Sequence, residues 1–331
     1  MSETHHEDGS QRVFHSEPHT SGIDTGRKRK PPKNLADGMI KALRPKQWVK
    51  NVLVLAAPAA AGADALFHSR VLLDVLLAFI VFCMGASSIY LINDARDVEA
   101  DRAHPTKRFR PIAAGVLPVG LAYAMAALLI VGSIGLSFLA TAGPQLAIVM
   151  AVYIALQLGY CFGWKHMPVI DIALVSSGFM LRTMAGGVAA GIVLSQWFLL
   201  VAAFGSLFMA SGKRYSEILL AEHTGAKIRK SLEGYTPTYL RFVWTLAATA
   251  LVMSYSLWGF QLSNAADGPA GVWYQVSMVP FTIAVLRYAA DVDRGNGGAP
   301  DEIALEDRAL QVLALLWLAC IAMAVYIIPM L

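Results

Sequence analysis

Four oxygen-bearing side chains close one apolar run: Asn93, Asp94, Asp97 and Asp101, in the stretch Leu91-Ile92-Asn93-Asp94-Ala95-Arg96-Asp97-Val98-Glu99-Ala100-Asp101-Arg102. If the helix continues through them, Asn93, Asp97 and Asp101 fall at about 0°, 40° and 80° around its axis, with Asp94 at about 100°. All four then share one face at a membrane-proximal helix end, where a carboxylate cluster is too costly to be idle. Hard oxygen ligands suit Mg²⁺, which is held by one or two carboxylates plus the phosphates of a substrate. Basic residues follow at once: Arg102, His104, Lys107, Arg108 and Arg110, the last opening Arg110-Pro111-Ile112-Ala113-Ala114-Gly115. Carboxylates for a metal and guanidinium or ammonium groups for outer phosphate oxygens are what a metal-bridged phosphate ester needs.

Other candidates are spread along the chain. Lys46 and Lys50 stand four residues apart in Arg44-Pro45-Lys46-Gln47-Trp48-Val49-Lys50-Asn51, with Asn51 beside them. Trp48 is an interfacial anchor by type, and a lysine beside it can hold a lipid phosphate at the bilayer surface. Tyr160 and Lys165 precede Asp171, which enters an apolar segment that carries Arg182 eleven residues further on. Three turns apart, these two share nearly one face, and ionisable groups inside a span are functional by default. Lys213 and Glu217 flank Arg214 four residues apart, ahead of a long basic loop over 212–239 that includes Arg229 and Tyr235 and reads as a helical cap. The acidic stretch 291–308 reads as a solvated turn.

The elements that must position these groups are membrane spans. The chain has 331 residues, of which 56% are hydrophobic and 15% charged, with a mean hydropathy of +0.53. Soluble globular chains carry about 25% charged residues, so an ordinary water-soluble or disordered protein is excluded. Nine apolar segments follow the N-terminal region: 48–67, 71–92, 117–138, 144–161, 169–190, 194–211, 240–261, 272–290 and 309–330. Each must be helical, because an unpaired backbone group in hydrocarbon costs several kcal/mol. Placing the N-terminus and the loops after even-numbered spans on one side assigns 25 of the 27 Lys and Arg residues to it; the exceptions are Arg70 and Arg182. That asymmetry places the N-terminus in the cytoplasm, the C-terminus outside and the candidate site on the cytoplasmic face. Residues 1–36 are polar, contain Arg27-Lys28-Arg29-Lys30 and lack an apolar core, which predicts a disordered cytoplasmic tail rather than a signal peptide. Residues 37–331 form the membrane domain.

Cys83, Cys161 and Cys320 each lie within an apolar run and read as small core hydrophobes. The tail histidines have no ligand spacing. Outside residues 1–50 the charges balance, which gives no surface for nucleic acid. Gly132 and Gly135 in the third span suit close helix packing, within the chain or in a homo-oligomer.

Asn93-Asp94-x-x-Asp97-x-x-x-Asp101 with the downstream Arg-Pro-Ile-Ala-x-Gly resembles the first aspartate motif of the UbiA-type intramembrane prenyltransferase superfamily. The resemblance covers about residues 40–331. It implies an all-α, polytopic membrane protein with nine transmembrane helices around a central cavity, closed by cytoplasmic cap loops over a Mg²⁺-complexed diphosphate. In prenyltransferases a second aspartate motif lies near the end of helix 6. Here that place reads Ser211-Gly212-Lys213-Arg214-Tyr215-Ser216-Glu217, with one carboxylate and two cations. This departure, with the 44–51 segment, resembles the phosphoribosyltransferase branch of the family.

That branch implies phosphoribosyl pyrophosphate as donor and a polyprenyl (decaprenyl) phosphate, held in the plasma membrane, as acceptor. Its product is a precursor for cell-wall arabinan. The implied roles are Mg²⁺ on Asn93, Asp94, Asp97 and Asp101, with Asp97, Asp101, Lys165 and Lys213 in the catalytic group. Substrate contacts fall to Lys46, Lys50, Asn51, Arg102, Lys107, Arg108, Arg110, Tyr160, Asp171, Arg182, Arg214, Glu217, Arg229 and Tyr235. An aromatic prenyltransferase using a prenyl diphosphate is the alternative, and it calls for the acidic second motif that is degraded here. A cation-coupled transporter calls for inverted halves with broken helices at the midplane; no internal repeat is present.

Overall fold

A computed structural model describes residues 31–62, 67–224, 232–266, 268–294 and 306–328. The predicted tail therefore lies almost wholly outside the described residues, as does Arg229. Among the described residues every regular element is helical.

The chain enters through α1 (Leu35–Ala42), whose N-cap Asn34 accepts a hydrogen bond from the Asp37 amide at 2.9 Å. The first predicted span has an unexpected form. It is a 3₁₀ helix over Pro45–Leu55 that runs into a short α2 (Ala56–Ala60). Pro45 and Pro58 supply no amide proton, and the β-branched Val49, Val52 and Val54 weaken an α-helix. This arm is held by close backbone contact: a Cβ on Gly186 would meet the Val54 carbonyl at 1.9 Å. Only glycine admits that approach.

Long helices follow: α3 (Ser69–Arg96), a short α4 (Val98–Ala103), α5 (Val119–Ser137), α6 (Gly143–Cys161), α7 (Ile170–Ala189), α8 (Gln196–Thr224), α9 (Pro237–Ala265), α10 (Ala270–Asp293) and α11 (Arg308–Ala322). The last continues as a π-helical turn over Met323–Ile327. Among the described residues six helices are long and apolar enough to cross a membrane: α3, α5, α6, α7, α9 and α11 with its extension. Helices α8 and α10 occupy the sixth and eighth predicted spans but carry charges toward their C-terminal ends. Eight predicted spans thus appear as single helices, and the first as the 3₁₀ arm.

Three cores hold the bundle. One joins α3, α6 and α7 around Phe82, Leu146, Met150 and Tyr153, with Val54 of the arm. A second joins α7, α8, α9 and α10 around Phe208, Tyr215, Trp244 and Tyr288. A third fixes α1 and the Ile112–Leu117 turn against the end of α3 and against α5. Gly132 of α5 packs closely on α3, since a Cβ there would meet the Met84 methyl at 2.7 Å. All three cysteines are buried and free.

Two readings of loops change. The cap over 212–239 begins as a direct continuation of α8, which stays helical to Thr224. The 291–308 stretch is not simply a solvated turn. Asp291 is buried, and Asp307 caps α11 through the amides of Ala309 and Leu310 while accepting from Arg287 Nε at 2.5 Å. Arg287 holds the Asp307 carboxyl down at about 2.

Candidate active site

The aspartate face forms almost as its spacing predicts. Helix α3 breaks at Asp97, yet the Asp97 amide donates to the Asn93 carbonyl at 2.9 Å and the Asp101 amide to the Asp97 carbonyl at 2.8 Å. The i to i+4 register therefore runs through the break into α4. Asp94 and Asp101 are each 3% exposed, and Asp97 is half-buried.

Each carboxylate meets a cation brought from elsewhere. Arg44 Nη2 donates to both oxygens of Asp94, at 2.6 and 2.8 Å. Arg110 Nη1 bridges Asp94 at 3.1 Å and Asp101 at 2.7 Å. Lys165 Nζ sits 3.2 and 3.1 Å from the two oxygens of Asp97. Cys161 Sγ lies 3.9 Å from Asn93 Oδ1. Arg44 occupies a left-handed backbone conformation (φ 53°, ψ 58°), rare for a residue with a side chain, and its guanidinium lies over the Tyr90 ring at 4.6 Å. Sequence reasoning missed Arg44 as a site residue. The one signal was its place at the head of the 44–51 segment.

A second cluster lies where α7 and α8 meet the cap. Asp171 is fully buried and accepts a short hydrogen bond from the Tyr235 hydroxyl. Arg214 Nε lies 3.3 Å from Asp171 Oδ2, an ion pair without hydrogen-bond geometry, while Arg214 Nη1 donates to Glu217 Oε2 at 3.2 Å. Burial opposes the charge on Arg214, but Glu217, Tyr160 and Asp171 outweigh it and raise its pKa. Burial, and then the bond to Asp171, push the Tyr235 phenol well above its usual range. The same hydroxyl accepts from the amide of Val169, which has φ 70° and ψ −47°. That conformation is a genuine outlier for a β-branched residue, of the kind that persists at sites held from several sides.

Arg182 is deep in α7 and 8% exposed. It donates from Nε to Asn51 Oδ1 at 2.7 Å, from Nη1 to the Gly178 carbonyl at 2.6 Å and from Nη2 to the Tyr153 hydroxyl at 2.8 Å. Asn51 thus joins Arg182 in the bundle, away from the exposed Lys46 and Lys50. Lys213 is half-buried at the start of the cap helix.

The structure gathers Asn93, Asp94, Asp97, Asp101, Arg110 and Lys165 into one cluster, and Asp171, Arg214, Glu217 and Tyr235 into another, with Tyr160 within electrostatic reach of Arg214. The remaining basic candidates of the first loop stay at its rim. Arg102 donates to the Ala113 carbonyl at 3.3 Å and to Glu99 at 2.7 Å, and Arg108 lies over Phe109. The Lys107 amide is taken by His104 Nδ1.

Among the described residues no three His, Cys, Asp or Glu side chains stand close enough to hold a metal ion by themselves. The donor set nevertheless suits a hard cation that takes only one or two carboxylates and completes its shell with phosphate and water. Asp97 and Asp101 stand one turn apart, Asn93 adds an amide oxygen, and the ammonium and guanidinium facing them can pass to phosphate oxygens.

These features describe an all-helical membrane protein with a cluster of carboxylates and cations at the end of one long helix. The UbiA prenyltransferase family model matches residues 51–305, and the chain belongs to that family. It is 78% identical over 326 residues to the decaprenyl-phosphate phosphoribosyltransferase of Corynebacterium glutamicum, covering 98% of each chain. It is 60% identical over 297 residues to the protein of that name from Mycobacterium tuberculosis, covering 89% of this chain and 96% of the relative. Among solved structures, a UbiA homolog from Archaeoglobus fulgidus bound to GPP and Mg²⁺ superposes with a TM-score of 0.63 at 17% identity, covering 88% of this chain and 99% of that one. The chain is an integral membrane protein, and its fold is that of the family.

Proposed function

We propose that this protein transfers 5-phosphoribose from phosphoribosyl pyrophosphate to a polyprenyl phosphate, releasing pyrophosphate. The acceptor is decaprenyl phosphate, as in the names of its relatives, and the product serves cell-wall arabinan synthesis. The observation that carries this reading is the 78% identity, across 98% of both chains, to a relative named for that reaction. The cationic Lys213 and Arg214 at the place of the second acidic motif support it. The enzyme sits in the plasma membrane with its N-terminus and site on the cytoplasmic side and its C-terminus outside, an orientation that the positive charge on one set of loops supports.

Mg²⁺ would be held by Asn93, Asp97 and Asp101 and, when bound, supplies charge neutralisation of the pyrophosphate leaving group. Asp94 acts from behind, because both its oxygens hold Arg44 and one also holds Arg110. The two guanidinium groups are thereby aimed at the outer diphosphate oxygens. Lys165 moves from Asp97 to the diphosphate when the donor enters, and Lys213 approaches from the opposite side. Lys46 and Lys50, exposed on the arm, receive the lipid headgroup at the bilayer surface.

The acceptor phosphate oxygen attacks ribose C1. Its new C–O bond forms as the C1–pyrophosphate bond breaks, and pyrophosphate departs with the electron pair. The anomeric centre inverts from α to β. The nucleophile is already an anion, so no strong general base is required. Catalysis by this chain is chiefly positioning and charge stabilisation.

The test is pyrophosphate release by the purified protein in detergent with Mg²⁺. Phosphoribosyl pyrophosphate with decaprenyl phosphate is expected to give release that requires both substrates. Release only with a prenyl diphosphate and an aromatic acceptor would overturn the reading in favour of ordinary prenyl transfer.

A further inference from the structure

Lys165 stands on a weak element. Its turn is a 3₁₀ helix over Trp164–His166, a single turn without a side-chain cap. Pieces of this kind have poor hydrogen-bond geometry and are placed by what surrounds them. The lysine stem is flexible, so holding its ammonium on Asp97 costs side-chain entropy unless the backbone beneath it is fixed.

Two rings supply that fixing, one on each side of Lys165. The Trp164 indole lies on the backbone of Gly159 near the end of α6, where a Cβ would meet indole Cζ3 at 2.5 Å. On the other side the Pro168 ring lies on Gly234, where a Cβ would meet Pro168 Cγ closer still. Neither glycine has a left-handed backbone, so the close approach of a ring is what calls for glycine here. Gly234 belongs to the stretch after the cap loop, and its neighbour Tyr235 holds the far end of the turn through the Val169 amide. On the near side the Arg96 guanidinium of α3 lies over the Phe162 ring at 4.2 Å, which sets the end of α6 against the residue before Asp97. Helix ends, turn and cap stretch thus meet around one ammonium.

We propose that Gly159 with Trp164, and Gly234 with Pro168, are positioning pairs for Lys165. A ring seated on bare backbone at each end holds the 164–168 turn where the ammonium reaches Asp97 and the incoming diphosphate. All four residues act through Lys165, and the inference rests on the donor contact proposed above for that lysine. A methyl group on either glycine lifts its ring, shifts the turn and withdraws the ammonium from Asp97.

The test uses the full-length protein in detergent and begins without substrate. Reductive methylation of Lys165 by formaldehyde is followed by peptide mass spectrometry in the wild type, Gly159→Ala, Gly234→Ala and Gly120→Ala. Gly120 lies in α5 with open space where its Cβ would stand, and its variant is the control. Lys165 is expected to label several-fold faster in Gly159→Ala and Gly234→Ala and at the wild-type rate in Gly120→Ala. A smaller ring leaves room for the added methyl, so Gly159→Ala/Trp164→Phe is expected to return toward the wild-type rate. Alanine is the better helix former, so helix propensity alone predicts no loss from Gly159→Ala. Binding of radiolabelled phosphoribosyl pyrophosphate with Mg²⁺ is measured next. Its Kd should rise about tenfold in each variant, as for loss of one charge-assisted contact. No further rise is expected when either change is added to Lys165→Ala. Labelling at the wild-type rate would overturn the pair concerned, and an equal loss of affinity with and without Lys165 would overturn both. If Gly234→Ala does not fold, Gly159→Ala and its Trp164→Phe partner decide. Faster labelling with an unchanged Kd would keep the positioning and fail the donor contact of Lys165. Absence of phosphoribosyl pyrophosphate-dependent pyrophosphate release in the wild type would fail the proposed reaction, and the labelling would still decide the positioning.

Discussion

The two charge clusters use the same residue types in opposite ways. At the end of α3, three aspartates on consecutive turns each face a cation from a distant segment, and those cations, Arg44, Arg110 and Lys165, remain partly exposed. At the junction of α7 and α8, one fully buried aspartate is closed in by Arg214 and Tyr235, and Arg214 is closed in again by Glu217. On the proposed function the first cluster is an exchangeable set, in which metal and phosphate replace the internal ion pairs. The second is a brace that ties the α8 extension and the residues after the cap loop to α7. Lys213, half-buried, stands beside it on α8. On that reading, carboxylates bind ligand where their partners can leave and hold the fold where they cannot.

The largest effects should separate the two. Asp97→Ala and Asp101→Ala are expected to reduce Mg²⁺-dependent turnover by about 10³-fold, in line with loss of a preorganised electrostatic contact. The protein should remain folded in the membrane. Near wild-type rates in either variant would remove that residue from the metal. Arg214→Ala should act on stability first, because Asp171 is left charged and buried; loss of one partner of a buried pair costs about 3–5 kcal/mol. Thermal melting in detergent measures this, and an unchanged melting temperature with a raised donor KM would turn the brace into a binding site.

Smaller effects sharpen the contrast. Lys213→Ala is expected to raise the KM for phosphoribosyl pyrophosphate about tenfold, equivalent to ~1.4 kcal/mol, with little change in melting temperature. Tyr235→Phe leaves an Asp171 oxygen and the Val169 amide unpaired, at about 1–3 kcal/mol of stability. The smallest effect lies away from both clusters. Asp307, held at about 2 by Arg287, is depressed below its ordinary 3.8. Its contribution is present above pH about 4 and lost as pH falls through about 2. Asp307→Asn should lower the melting temperature by about 1–2 °C at pH 7. That gap should narrow below pH about 4 and close as pH falls below about 2.

Much of the first cluster was legible because it is local. Asn93, Asp97 and Asp101 follow the helical period, and hydrogen bonds carry that period across the break at Asp97. The spans were legible because hydrocarbon leaves the backbone no alternative to internal bonding. The pairing partners were not. Arg44 is fifty residues from Asp94 and reaches it through a left-handed turn that no pattern announces. Tyr153 sits in an apolar run, where a phenol resembles ordinary core until Arg182 is placed beside it. The arm read as the first span by hydropathy, but its prolines and β-branched residues, with Gly186 opposite Val54, favour a 3₁₀ segment. Asp291 and Asp307 resembled a solvated turn because composition does not reveal which carboxylates a helix end will bury.

The most direct measurement is equilibrium binding of radiolabelled phosphoribosyl pyrophosphate to the detergent-purified protein, with Mg²⁺ and with Mg²⁺ removed by chelation. Wild type and the Asp97→Asn/Asp101→Asn double variant are compared. The account predicts binding that requires Mg²⁺ in the wild type and is lost in the folded double variant. Equal, Mg²⁺-independent binding by both proteins would contradict the assignment of the α3 carboxylates to a metal-bound diphosphate.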